Sequence, residues 1–221
     1  MRNRHALLVV ATLALVACGG DDGEEVDPEA DEELVNAALL TLDDLPDGFA
    51  EEPTDDDDDN EEADECLEEA VGLTRDEFED ARTARSDSVQ FESEEDTVSL
   101  RARVSAFESS DVPGEAIDAF DTDEFLACLQ ESFESQPESD GYEITALEAR
   151  SALIGDETTS YNLQLDLTAT DTDIAIESRL AALLVDRYVV SIESTTLSGN
   201  TDEALISDAL ETMAARLEDD G

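Results

Sequence analysis

The sequence predicts an α+β domain in which an antiparallel β-sheet of about six strands is packed with helices. Three observations carry this reading. Val98, Leu100, Ala102, Val104 and Ala106 alternate with Thr97, Ser99, Arg101, Arg103 and Ser105, the period-two signature of a strand buried on one face. The same period returns in several runs between residues 142 and 192. Helical spacing appears instead near the start, in the middle and at the end of the chain. Strands that alternate this cleanly belong to an antiparallel sheet, and helices must cover its apolar face or faces to complete a core.

Taken in order, Leu34, Val35, Ala38, Leu39 and Leu42 recur at helical spacing before Pro46-Asp47-Gly48 turns the chain. An acidic run over 55–65 follows and reads as a disordered, solvated loop. Its aspartates do not make a calcium loop. An EF-hand starting at Asp55 needs Gly at its sixth position and Glu at its twelfth, where this chain has Asn60 and Cys66. A strand pair begins at residue 82. Asp121 and Thr122 are candidate caps for a helix presenting Phe125, Leu126, Cys128, Leu129 and Phe133. Strands then centre on Tyr142 and Ile144, on Tyr161 to Leu167, on Ile174 to Leu184 and on Tyr188 to Ile192. The connections Thr170 to Asp173 and Asp186-Arg187 are short enough for hairpins. Asn200 and Glu203 have capping-box spacing before a last helix with Leu205, Leu210, Met213 and Leu217.

The first 18 residues address the chain rather than fold it. Arg2, Arg4 and His5 precede an apolar stretch from Ala6 to Val16 that is too short to span a bilayer. Leu15-Val16-Ala17-Cys18 then supplies small residues ending in a cysteine, and it resembles the lipobox at which bacterial lipoproteins are lipidated and cleaved. The expected organisation is a signal peptide over 1–17, a lipidated Cys18 heading a disordered acidic tether over 18–33, and one globular domain over 34–221. The expected location is the outer face of the cell membrane, with Cys18 as the lipid-attachment residue.

Charge and missing residue types narrow the function further. The formal charge is −51, and removal of residues 1–17 takes away Arg2 and Arg4 to leave −53, with no lysine anywhere. Such a surface repels nucleic acid, anionic headgroups and acidic wall polymers. His5, the one histidine, leaves with the signal peptide. Without His or Lys the mature chain cannot assemble a Ser-His-Asp or Cys-His triad, a Schiff base, a P-loop or a His-ligated zinc site. Paired carboxylates remain available for glycoside hydrolysis, but among 62 acids a pair at any given spacing is uninformative. No cofactor or metal is implied, and the expectation is a non-catalytic protein.

Self-repulsion also sets an expectation for stability. The Debye length falls from about 10 Å at 0.1 M salt to about 3 Å at 1 M, which weakens repulsion among the excess carboxylates more than it weakens a few Arg pairs. The melting temperature should therefore rise across that range of sodium chloride. A flat or falling melting temperature would show the acids to be paired or well separated.

Cys66 and Cys128 form an even pair in an oxidising location once Cys18 is lipidated, and each lies at the apolar edge of a helical segment. A disulfide between them is expected; two buried free thiols are the alternative. No CxxC spacing suggests redox chemistry.

Several features together resemble a known family. They are the lipobox, the run Leu39-Leu40-Thr41-Leu42-Asp43-Asp44-Leu45-Pro46-Asp47-Gly48-Phe49, a cysteine before the first strand pair and Ala127-Cys128-Leu129 in the central helix. Ile154-Gly155-Asp156-Glu157-Thr158 before the hairpins and Ala214-Ala215-Arg216-Leu217 in the last helix complete the set. They resemble actinobacterial LpqN-type lipoproteins and, more distantly, the extracellular sensor domain of PknH-type kinases, over residues 34–218. The resemblance implies a PsbP-like α/β sandwich with a binding or sensing role. The kinase domains carry a second disulfide that has no counterpart here, and no binding residue transfers.

The leading expectation is a lipid-anchored binding or sensor module serving a small ligand or an envelope protein. A structural or assembly factor of the envelope, or a carboxylate-dependent envelope hydrolase, are the alternatives. The sequence specifies no oligomeric state.

Overall fold

The computed structural model describes residues 26–53, 61–93, 98–119, 122–135, 142–154, 158–169, 175–197 and 203–220. The chain forms helix α1 (Pro28–Ala38), a 3-10 turn (Leu42–Asp44), strand β1 (Phe49–Glu52), helices α2 (Glu61–Val71) and α3 (Arg75–Ala81), and strands β2 (Arg82–Asp87), β3 (Gln90–Ser93) and β4 (Val98–Phe107). Helices α4 (Asp111–Ala119) and α5 (Asp123–Ser135) follow. Strands β5 (Tyr142–Ile154), β6 (Thr158–Ala169), β7 (Ala175–Val185) and β8 (Tyr188–Leu197) then lead to helix α6 (Glu203–Asp220). All strands join one sheet in the order β1-β3-β4-β8-β7-β6-β5, with β2 paired beside β3 along β4. Every pairing is antiparallel. The α+β sandwich is the one the sequence predicts. The four-residue strands β1 and β3 are additions to the six read from alternation.

Register explains how the core is divided. In β4 the buried residues Val98, Leu100, Ala102, Val104 and Ala106 face one way, and the last three lie opposite Ile192, Val190 and Tyr188 of β8. Across the next pairing, Ala181 and Leu183 of β7 align with Ile192 and Val190. Helices α1 and α6 cover this face. Val35 and Ala38 of α1 and Ile206, Ala209, Leu210, Met213 and Leu217 of α6 are buried in the same cluster. The spacing in α6 is the 3- and 4-residue recurrence of a helix with one apolar stripe.

The opposite face is covered elsewhere. Leu184 of β7, one residue out of phase with Leu183, lies 3.8 Å from where a Cβ on Gly114 of α4 would stand. Helix α5 lies against β5. A second cluster joins these helices through Cys66, Leu67, Leu73, Ala116, Ala119 and Phe125, with Phe78 and Cys128 packed against it. The sheet is thus covered on one face over β4, β8 and β7, and on the other face towards β7 and β5.

Two expectations need correction at their boundaries. Of the tether expected over 18–33, residues 28–33 belong to helix α1 and Asp31 is only 2% exposed. Asp27 caps the helix by accepting from the amides of Glu29 and Ala30, and Pro28 occupies a first-turn position where its missing N–H costs nothing. Of the acidic loop expected over 55–65, residues 61–65 are helical instead, as part of Glu61–Val71. Helix α3 was also absent from the expected order. Its signal is a capping box, with the Glu77 amide donating to Thr74 Oγ1 and Glu77 Oε2 accepting from the Thr74 amide.

The hairpin at Asp186-Arg187 is present, with Asp186 at φ 53°, a left-handed conformation that aspartate tolerates better than most residues. Thr122 caps α5 by accepting from the Phe125 amide. Asp121, Asn200, Cys18, the run 54–60 and the turn expected at 170–173 lie outside the described residues.

Candidate functional site

Three clusters of charged side chains stand out, and two of them act as internal clamps. In the first, Asp31 of α1 meets Arg187 of the β7–β8 hairpin in a bidentate pair, with Arg187 Nη1 to Asp31 Oδ2 at 2.9 Å and Nη2 to Oδ1 at 2.5 Å. Thr83 Oγ1 and Tyr188 Oη also donate to this carboxylate, at 2.5 and 3.2 Å. Arg187 donates further to the Phe107 carbonyl at 2.7 Å and lies 4.7 Å from the centre of the Tyr188 ring. Burial pushes the Asp31 carboxyl up. The Arg187 and Thr83 hydrogen bonds and the Arg187 charge outweigh it, so the group sits below the ordinary aspartate range. Every donor is directed inward, and the assembly fastens α1 to β2, β4 and β8.

The second clamp fastens the 3-10 turn to α6. Arg216 Nη2 donates to Asp44 Oδ1 at 2.6 Å and Nη1 to the Leu39 carbonyl at 2.8 Å, while Thr41 donates to Asp44 Oδ2 through its amide and hydroxyl. Burial raises the Asp44 carboxyl and the Arg216 and Thr41 contacts more than reverse it. The Thr41-Leu42-Asp43-Asp44 and Ala215-Arg216 motifs therefore meet in space, and they do so to hold the fold together.

The third cluster faces outward. Where α4 and α5 do not reach, the sheet face across β2, β4 and β8 presents Arg85 and Asp87 from β2, Ser99, Arg101 and Arg103 from β4, and Ser191 and Glu193 from β8. Pairing aligns Asp87 with Arg103, Arg103 with Ser191, and Arg101 with Glu193. The base of this half-face is closed by α3, whose Phe78 ring meets Phe107 edge-on at 5.0 Å. Arg85 and Glu193 are exposed, and Asp87, Ser99, Arg101, Arg103 and Ser191 are half-buried.

Asp87 organises the centre of the half-face. It accepts from Arg103 Nε at 2.6 Å through Oδ1, and from Arg85 Nε at 2.7 Å through Oδ2. A longer contact of 3.3 Å joins Arg85 Nη2 to Oδ1. Burial raises its carboxyl, but the two guanidinium groups together hold it below the ordinary range. Arg85 and Asp87 are two residues apart on one strand, so the pleat places both on this face.

Of the residues expected from sequence, Cys66 and Cys128 are joined by a disulfide with Cα atoms 5.5 Å apart. The bridge ties α2 to α5 within the second cluster, against which Phe78 of α3 also packs. Among the described residues no group of three His, Cys, Asp or Glu is placed to hold a metal ion. No helix among them is long and apolar enough to cross a membrane. Alternation had already separated Arg101 and Arg103 from the buried face of β4. The role of Asp87 needed the β2–β4 register, which sequence spacing does not supply.

No protein-family model matches the chain, and no curated protein matches it. Among solved structures there is a weak likeness to the extracellular domain of PknH from Mycobacterium tuberculosis. Its TM-score is 0.40 at 13% identity, over 85% of this chain and 94% of that one. A likeness at this level carries no argument about ligand or activity.

Proposed function

We propose that this chain is a lipid-anchored binding domain of the sensor type, held by Cys18 on the outer face of the cell membrane and without catalytic activity. Kinship with the LpqN-type lipoproteins belongs to the same proposal and rests on the motifs quoted above. One observation carries the binding role. Among the described residues no helix covers the centre of the face of β2, β4 and β8, and three of the mature chain's nine arginines stand there in an otherwise strongly acidic protein. Arginines on the floor of a sheet are held by strands rather than loops, which suits a recognition surface. The absence of imidazole and amine side chains from the mature sequence supports binding without turnover.

Anchoring is tested by Cys18→Ser. The variant should escape lipidation and either leave the membrane or remain attached through an uncleaved signal peptide. A fully processed Cys18→Ser protein that stays firmly membrane-bound would overturn the anchoring proposal. Binding is tested by thermal shift of the mature protein against fractionated envelope extract. Saturable stabilisation by one fraction whose mass is unchanged afterwards supports the reading. Turnover that is lost on replacing a single Asp or Glu would make the protein a hydrolase instead.

A further inference from the structure

We propose that the Arg85–Asp87–Arg103 triad receives a single carboxylate, presented by a ligand that is otherwise uncharged. This rests on the reading of the half-face as the binding surface and names the group that the surface recognises.

The geometry supplies the receptor. Arg103 spends its Nε on Asp87, and among the described residues its two terminal nitrogens have no hydrogen-bond partner. A guanidinium held by Nε has its orientation fixed while its outer fork stays available, and that fork matches a carboxylate in bidentate fashion. The Arg103 side chain is 36% exposed, so the fork is reachable and still partly shielded from water. Asp87 is therefore a positioning residue. It also shows that these arginines already hold a carboxylate, through the opposite edge of Arg103 and through Arg85. Arg101 has partners of its own and is not needed.

Charge selects the ligand. Two guanidinium groups and one carboxylate leave the triad with one net positive charge, inside a chain of net charge −51. One negative charge balances the triad. A ligand of several negative charges would meet repulsion from the surrounding surface over a Debye length of about 8–10 Å at moderate salt. That repulsion penalises polyanions and misplaced carboxylates alike, so it contributes specificity as well as cost. Ser191 is aligned with Arg103 on β8 and belongs to the same sheet face.

The test uses the mature lipidated protein in detergent micelles, labelled with 15N in arginine side chains and backbone. It is titrated at fixed ionic strength with N-acetyl-Ala-Ala-Ala, with the C-terminal amide of the same peptide, and with methyl phosphate. The free acid should shift the Arg103 side-chain signals and the Ser191 amide saturably, and the amide should not. Arg103→Ala should weaken binding of the acid by about 10- to 100-fold, the worth of one hydrogen bond to a charged group, and Arg103→Lys should recover only part of it. Asp87→Asn raises the net charge of the triad from one to two, so the variant should lose the preference for the singly charged acid over methyl phosphate. Equal shifts from acid and amide, shifts from methyl phosphate alone, or no shift from any probe would each overturn the carboxylate proposal. The acid–amide comparison needs only the wild type, so it stands even where a variant misfolds. If an envelope fraction stabilises wild type and Arg103→Ala equally while cross-linking to a photoreactive residue placed at position 191, the binding surface survives and the carboxylate proposal alone fails.

Discussion

Arg187→Ala should destabilise the folded domain by about 3–5 kcal/mol, the usual cost of removing one partner from a buried ion pair. The substitution leaves the nearly inaccessible Asp31 with only the Thr83 and Tyr188 hydroxyls and frees the Phe107 carbonyl. For a domain of this size the melting temperature should fall by roughly 10 °C. Asp31→Ala should cost less than Arg187→Ala, because the stranded guanidinium is 22% exposed and water can reach it, whereas the stranded carboxylate is 3% exposed. In a double-mutant cycle the paired substitution should cost clearly less than the sum of the two. Additive losses would show that the two groups do not depend on one another.

The same pair fixes the response to acid. Asp31, Asp44 and Asp87 all lie below the ordinary aspartate range when folded. A depressed carboxylate contributes stability that is complete above its unfolded value, near pH 4, and is lost as pH falls through the lower folded value. Stability should therefore drop below about pH 4, and Arg187→Ala should flatten that drop because it removes the main cause of the Asp31 shift. An acid limb of unchanged steepness in Arg187→Ala would contradict this.

Removing the disulfide should have an effect of similar size. Cys66 and Cys128 are 62 residues apart, and closing such a loop contributes about 4 kcal/mol in the chain-entropy view. The bridge matters because the cluster around it is small, with six buried residues among the described ones to hold α2, α4 and α5 together. Cys66→Ala with Cys128→Ala should lower the denaturation midpoint, and peptide mapping of the untreated protein should find one linked species. Two alkylatable thiols in the native protein would contradict the bridge.

How far the sequence could be read follows from where each element's stabilising partner lies. Alternation in β4 and the apolar stripe of α6 are local patterns, so both were legible. The start of α1 was not. The segment around it is almost wholly polar, and the residue it buries is Asp31, whose partner Arg187 stands 156 positions away. Hydropathy has no means of showing a carboxylate neutralised at that distance. Helix α4 has no counterpart in the expected order; a Pro-Gly pair punctuates helical patterns, although proline fits the first turn of a helix. The disulfide could be expected from parity and compartment. The half-face could not, because Asp87 and Arg103 become neighbours only through strand register.

The central proposal is that the face of β2, β4 and β8 carrying Arg85, Asp87 and Arg103 is where this domain meets its ligand. Site-specific photo-cross-linking in native membranes tests it most directly, with a photoreactive residue replacing Ser191 on that face and, as control, Glu211 at an exposed position on α6. The account predicts one discrete, saturable adduct from position 191, absent from position 211 and suppressed by Arg103→Ala. Adducts from position 211 with none from position 191 would place the ligand elsewhere and contradict the account.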